Sequence, residues 1–175
     1  MEEIVNRVAA SSLVTFDLDS LYRSGERVEF DIKPALEQGL LLRERTFREF
    51  VGAIDAETYR GKLVALTCSS DALIPAWAWM LVVAVLEPVA VRVVQGDLMR
   101  LEERLFFDAL ASVDWETYRG ARVLVKGCSQ AEVPASVFAE VTARLRPVAL
   151  GIMYGEACSS VPVFKKKQEN TSARP

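Results

Sequence analysis

The sequence predicts an α/β fold: duplicated βαβ units forming a mostly parallel sheet flanked by helices, with an N-terminal antiparallel strand pair at one edge. Three observations carry that prediction. Residues 55–61 (DAETYRG) and 114–120 (DWETYRG) match at six of seven positions with an offset of 59. The register continues past this motif, pairing Pro75 with Pro134, Leu86 with Leu145, Pro88 with Pro147 and Gly96 with Gly155. Within each copy, apolar runs flank a segment of about a dozen residues bounded by prolines, long enough for the helix of a parallel crossover.

The elements follow in order. Residues 13–18 (LVTFDL) and 27–33 (RVEFDIK) alternate apolar and polar side chains around an Arg23-Ser24-Gly25-Glu26 turn, which predicts a hairpin or a pair of edge strands. A short strand is expected at 40–42. Thr46 with Glu49 three residues on has the spacing of a capping box and opens a helix carrying Phe47, Phe50, Val51 and Ile54 on one face. Leu63–Thr67 and Arg122–Lys126 read as strands, each entered through a capped turn that ends in Gly61 or Gly120, with Tyr59 and Tyr118 packing over the helices. Pro75 and Pro134 suit the first turn of the next helices, where a missing N–H costs nothing, and Pro88 and Pro147 end them. Trp77, Trp79 and Met80 of the first of these helices are expected in the core. Residues 89–94 and 148–154 are the second strands. Asp97 is the expected N-cap of a linking helix from Leu98 to about Ser112.

The chain reads as one domain over 1–164, with N-terminal strands in 1–42, repeat one in 43–99 and repeat two in 100–164. Residues 165–175 (KKKQENTSARP) are polar and aperiodic, the pattern of a disordered tail. With 175 residues, 51% hydrophobic side chains and a mean hydropathy of +0.17, a sizeable core is available. The net charge of −3 offers no basic field to nucleic acid or an anionic membrane, so neither is expected as a partner. No leader pattern opens the chain, and three cysteines are an odd number for a disulfide framework; a cytoplasmic location is expected. The apolar run 75–94 is divided by Glu87 and Pro88 into pieces too short for a bilayer core of about 30 Å. There is no histidine, which removes Ser-His-Asp and Cys-His catalysis and every mixed Cys/His metal site. Neither a GxxxxGK[ST] nor a GxGxxG loop is present, and Ser11 and Ser12 have no base partner in the sequence.

The cysteines carry the functional expectation. Cys68 and Cys128 correspond across the duplication, each beside a serine and each just after a predicted strand, and Cys158 follows the last predicted strand in a similar Cys-Ser context. Ligands of open α/β sheets bind beyond the carboxyl ends of the strands, so three sulfurs are expected to converge there. Helix N-termini beyond Cys68 and Cys128 would favour thiolate. A cytoplasmic metal-binding protein is the leading expectation, with Cys68, Cys128 and Cys158 as thiolate ligands of zinc or of iron or an iron–sulfur cluster. Asp71 points into the site as a ligand or acceptor in this reading, and Glu156 lies at its rim. The alternatives are a thiol redox or sulfur-carrier protein with Cys68 or Cys128 as nucleophile, and a non-catalytic scaffold or adaptor with structural cysteines. A homodimer or a protein partner is also open.

Taken whole, the sequence resembles the DUF2480 family of uncharacterised bacterial proteins, found mainly in Bacteroidetes. The resemblance is carried by IVNRVAASSLVTFDL from Ile4, ERVEFDIK from Glu26, VALTCSSDALIPAWAWML from Val64, KGCSQAEVP from Lys126 and IMYGEACSSVPVFK from Ile152. It implies no defined activity. The frequent position of such genes near those of iron–sulfur assembly implies iron or sulfur chemistry by association.

Overall fold

Residues 13–166 are described by the structure, a computed structural model; Ser11, Ser12 and the tail beyond Lys166 lie outside the described residues. Strands β1 (Leu13–Asp17) and β2 (Arg27–Asp31) form where the alternation places them. They do not pair with each other. β1 lies parallel to β5 (Arg122–Lys126), from Leu13 opposite Arg122 to Asp17 opposite Lys126. β2 lies parallel to β3 (Leu63–Thr67), from Arg27 opposite Leu63 to Asp31 opposite Thr67. The two strands are near copies of each other, with Val14, Phe16, Asp17 and Leu18 matching Val28, Phe30, Asp31 and Ile32 at an offset of 14. Each supplies the first strand to one copy of the duplication. A local hairpin would satisfy the same backbone groups, but separate placement also buries Phe16 and Phe30 in separate cores.

The described residues accordingly divide into two compact units, Arg23–Leu105 and the combination of those up to Tyr22 with those from Phe106 onward. The central unit, Arg23–Leu105, holds the all-parallel sheet β2-β3-β4, with β4 at Arg92–Gln95. Helices α1 (Glu44–Gly52) and α2 (Ala76–Leu86) pack Phe47, Val51, Val82 and Leu86 against Phe30, Val64 and Leu66 on one face. Leu101 and Leu105 of α3 (Leu98–Leu110) cover Leu63 and Ala65 on the other. The terminal unit holds the sheet β1-β5-β6-β7, in which β6 (Gly151–Glu156) continues the parallel set and β7 (Ser159–Lys165) returns antiparallel. There α4 (Ala135–Leu145) and the end of α3 close a core around Phe16, Phe106, Val123 and Ile152. The α/β class, the duplicated units and the mostly parallel strands flanked by helices are as the sequence predicts; strand partnership is what differs.

Smaller differences have local causes. α1 begins at Glu44 with Arg43 as its cap residue and no side-chain cap. Thr46 therefore sits inside the helix, which gains Arg48–Glu44 and Arg45–Glu49 pairs at i,i+4 spacing. Residues 40–42 contribute an isolated Glu37–Leu41 bridge in place of a strand. β4 and β6 start three residues later than expected, because the turns after α2 and α4 continue through Pro88 and Pro147 with Ala90 N–H donating to the Leu86 carbonyl and Ala149 N–H to that of Leu145. β7 was hidden in the sequence by Pro162, which is tolerated because β7 is an edge strand and the proline sits at the register shift of its pairing with β6. Met80 is 69% exposed rather than in the core. The buried stripe of α2 is Ala78, Val82 and Leu86, and a residue two positions from its start lies about 200° around the helix.

The repeated DxETYRG motif proves structural. In each copy it forms a 3-10 turn capped by its own aspartate, Asp55 accepting from Glu57 N–H at 3.2 Å and Asp114 from Glu116 N–H at 3.1 Å. Arg60 forks onto Glu57, and Arg119 onto Glu116. Gly61 and Gly120 have φ of +72° and +74°, a conformation costly for any side chain, which explains why the motif must end in glycine. Tyr59 and Tyr118 pack on Phe30 and Phe16, tying each turn to the first strand of its own unit.

Candidate functional site

Among the described residues, no group of three or more His, Cys, Asp or Glu side chains is placed to hold a metal ion. The expected zinc, iron or iron–sulfur site at Cys68, Cys128 and Cys158 therefore does not assemble, and the function built on it is withdrawn. Duplication produced two sheets, each with its own carboxyl edge, so equivalent cysteines end equivalent strands of different units. Cys68 packs against the core of the central unit and Cys128 against that of the terminal unit. Cys158 is exposed in the turn between β6 and β7. Asp71 is exposed in the loop between β3 and α2. Glu156 ends β6, where it is also exposed and lies 3.6 Å from Lys126 Nζ.

Each duplicated cysteine has an aspartate nearby that sequence reasoning did not single out. In the terminal unit Asp19 accepts from the Cys128 thiol at 3.1 Å, from Ser129 N–H at 2.7 Å and from the Ser129 hydroxyl at 2.9 Å. In the central unit Asp31 accepts from Ser69 N–H at 3.0 Å, from the Ser69 hydroxyl at 2.5 Å and from Lys33 N–H at 2.9 Å. Hydrogen bonds from the Cys128 thiol and then Ser129 hold the Asp19 carboxyl below its ordinary value. Burial pushes Asp31 up, but the donors from Ser69 and Lys33 outweigh it and its net shift is downward. Burial and then the bond to Asp19 raise the Cys128 thiol, so it stays protonated and is no activated nucleophile. The helix-dipole expectation fails on distance along the chain: α4 begins at Ala135, seven residues past Cys128, and the effect fades beyond the first turn. Asp31, at the end of β2, and Asp19, in the 3-10 turn just after β1, clamp each first strand's exit to the loop after the next strand. The V-x-F-D wording shared by β1 and β2 signals only Asp31, since the same place in β1 is Asp17 and the terminal-unit clamp comes from Asp19 two residues on.

A different feature of the terminal unit has the geometry of a ligand site. Arg122, Gly151 and Lys165 stand opposite one another across β5, β6 and β7, and cross-strand partners share a face of the sheet. With neighbouring strands about 4.8 Å apart, the two cations flank the glycine at a backbone separation of about 10 Å. Gly151 puts no side chain of its own between them. They line a cleft of about 880 Å³ together with Lys166, Leu150, Met153 and Pro162. Arg122, Lys165 and Lys166 make no side-chain ion pair among the described residues. Three positive groups thus meet without a counter-charge among the described residues, in a chain of net charge −3.

The central unit supplies an internal control. Its residue equivalent to Arg122 is Leu63, fully buried against Leu101 and Leu105, and that to Gly151 is Arg92. Its sheet has no counterpart of β7. The cleft is therefore a property of one copy and not of the shared architecture.

Fold and cleft together define an internally duplicated α/β protein with a basic recess on one of its two sheets. The chain belongs to the DUF2480 family, described as proteins of unknown function, whose model matches residues 2–166. Comparison with curated proteins and with solved structures gave no match. No helix among the described residues is long and apolar enough to cross a membrane.

Proposed function

We propose that this is a binding protein of the bacterial cytoplasm that holds a small organic anion in the cleft of the terminal unit. The observation that carries the reading is the cross-strand row Arg122-Gly151-Lys165, two cations without an ion-pair partner among the described residues on either side of a glycine. Arginine offers a planar fork to a carboxylate or phosphate and lysine a mobile point charge, so one anionic head can engage both. Phenyl phosphate tests the reading by calorimetry and thermal shift. The intact chain should bind it, and the Arg122→Gln/Lys165→Gln double variant should bind at least about tenfold more weakly, since hydrogen bonds to charged groups contribute about 1.5–3 kcal/mol each. Equal affinity in the double variant, or no binding by the intact chain, sinks it. Both residues are exposed, so their loss leaves folding untouched.

A second reading concerns a partner and rests on α2. This helix carries no charged or polar side chain from Ala76 to Leu86, whereas its equivalent α4 has Ser136, Glu140, Thr142 and Arg144 on corresponding positions. An all-apolar helix is normally covered on every side. Its outward ridge, Ala76-Met80-Ala84, alternates small, large and small, which is complementary to itself across a twofold axis. We propose a second copy of the chain as the partner. Light scattering after size exclusion should show a dimer that Met80→Glu converts to monomer; a wild-type monomer at about 100 μM would overturn this reading.

A further inference from the structure

We infer, resting on the anion-binding reading above, that the ligand of the cleft is an amphipathic anion: a phosphate or carboxylate head carrying an unbranched apolar tail. The lining is divided into two chemistries. At one level of the sheet stand Arg122, Gly151 and Lys165, with Lys166 beside them, its N–H bonded to the Leu150 carbonyl. Two residues further along β6, roughly 7 Å away, Met153 stands opposite Leu124 on β5 and Pro162 on β7. Met153 and Pro162 both line the cleft, so it is apolar on that side of the cations, and Leu150 adds an apolar side chain beside Lys166.

What the lining lacks is as informative among the described residues. It contains no serine, threonine, tyrosine, asparagine, glutamine, aspartate or glutamate side chain. A sugar or nucleobase brought into such a recess would lose water from its hydroxyls and ring edges without gaining side-chain partners, a penalty that disfavours polar ligand bodies. An alkyl chain loses nothing there and gains burial. The head is engaged by the two cations: a Cβ at Gly151 would crowd the Phe164 carbonyl oxygen at 3.3 Å, so glycine keeps the row between Arg122 and Lys165 without a side chain of its own. The volume of about 880 Å³ admits a head and a chain of several carbons. The same chemistry could reach the cleft from a free molecule or from the headgroup of an anionic lipid in a bilayer. The free molecule is favoured here, since a chain of net charge −3 gains less from an anionic surface, which meets its whole charge, than from a small anion that meets only the cations of the cleft.

Calorimetry with orthophosphate, butyl phosphate, octyl phosphate and octanoate on the full chain tests the inference, with co-sedimentation on anionic phospholipid vesicles as a separate arm. Each methylene that leaves water should tighten binding about two- to fourfold, so octyl phosphate should bind at least about tenfold more tightly than butyl phosphate. Met153→Gln should flatten that gradient while orthophosphate affinity stays the same, and Arg122→Gln/Lys165→Gln should weaken every member of the series. If orthophosphate, butyl and octyl phosphate bind equally well and the double variant weakens all three, the tail assignment is wrong and the anion site stands. If none of the four binds, both readings fall. Binding to vesicles with none to monomeric octyl phosphate overturns the assignment to a free ligand.

Discussion

Truncating Leu145 to alanine tests the claim that each copy of the duplication builds its own core. Leu145 is the last residue of α4, fully buried, and packs in the cluster that holds Val123, Val141 and Ile152. Leu86 is its counterpart at the end of α2, also fully buried, in the cluster that holds Val64, Leu66 and Val82. Leucine-to-alanine changes at such sites cost about 2–5 kcal/mol, the sum of lost transfer energy and the cavity left behind. With about 2–4 °C of melting temperature per kcal/mol in a chain of this size, each variant should melt roughly 4–20 °C lower. Because both leucines close the same helix at the same register, their costs should agree within about 1 kcal/mol. They belong to different clusters and share no partner within them, so the double variant should equal the sum within about 0.5 kcal/mol. Urea unfolding followed by circular dichroism supplies the numbers. A cost under about 1 kcal/mol for either leucine, or a coupling above about 1 kcal/mol between them, would refute the picture of two separate, equivalent cores.

Three further outcomes follow from the same geometry. Cys158 should be alkylated by iodoacetamide at pH 8 well before Cys128, as read by peptide mass spectrometry, because it is exposed and the Cys128 thiol is held protonated by burial and by Asp19; modification of Cys128 first would contradict that placement. Asp19 and Asp31 have lowered carboxyl values, so their contribution is full above the unfolded value near 3.9 and is lost as pH falls through the folded values; acid destabilisation below about pH 4 should weaken in an Asp19→Asn/Asp31→Asn variant measured by urea midpoints from pH 2.5 to 7. The Arg27–Glu102 fork, at 2.6 and 3.3 Å with side chains only 16% and 14% exposed, joins β2 to α3, and Glu102→Gln should cost about 1–3 kcal/mol, less than for a fully buried pair, whereas an unchanged urea midpoint would show that the pair is solvated.

The duplicated clamps also explain why cysteine was a misleading guide. Serine and cysteine recur together at 68–69 and 128–129 because the serine N–H and hydroxyl hold an aspartate at or just past the end of the first strand, Asp31 in one unit and Asp19 in the other. A pair inherited for that packing looks, in one dimension, like a pair of ligands. The feature with ligand geometry arose where the copies differ, at Arg122 against Leu63, at Gly151 against Arg92, and in the added strand β7.

The sequence by itself determined the local elements. β3, β5, α2 and α4 fall where apolar runs and bounding prolines put them, because strand and helix periods and proline's missing N–H act within a few residues. The Asp97 cap of α3 was equally legible, and Arg100 N–H donates to it at 2.8 Å. Partnership was not. β1 and β2 share one alternating pattern, and a period of two says which face is buried without saying which strand lies alongside; only the competition between two cores assigns each to its own sheet. That assignment separates Cys68 from Cys128 and brings Asp19 to Cys128 across 109 positions. It also leaves β6 with an edge for β7, and so sets Lys165 opposite Gly151 and Arg122, a row of residues whose meaning exists only once three strands are side by side.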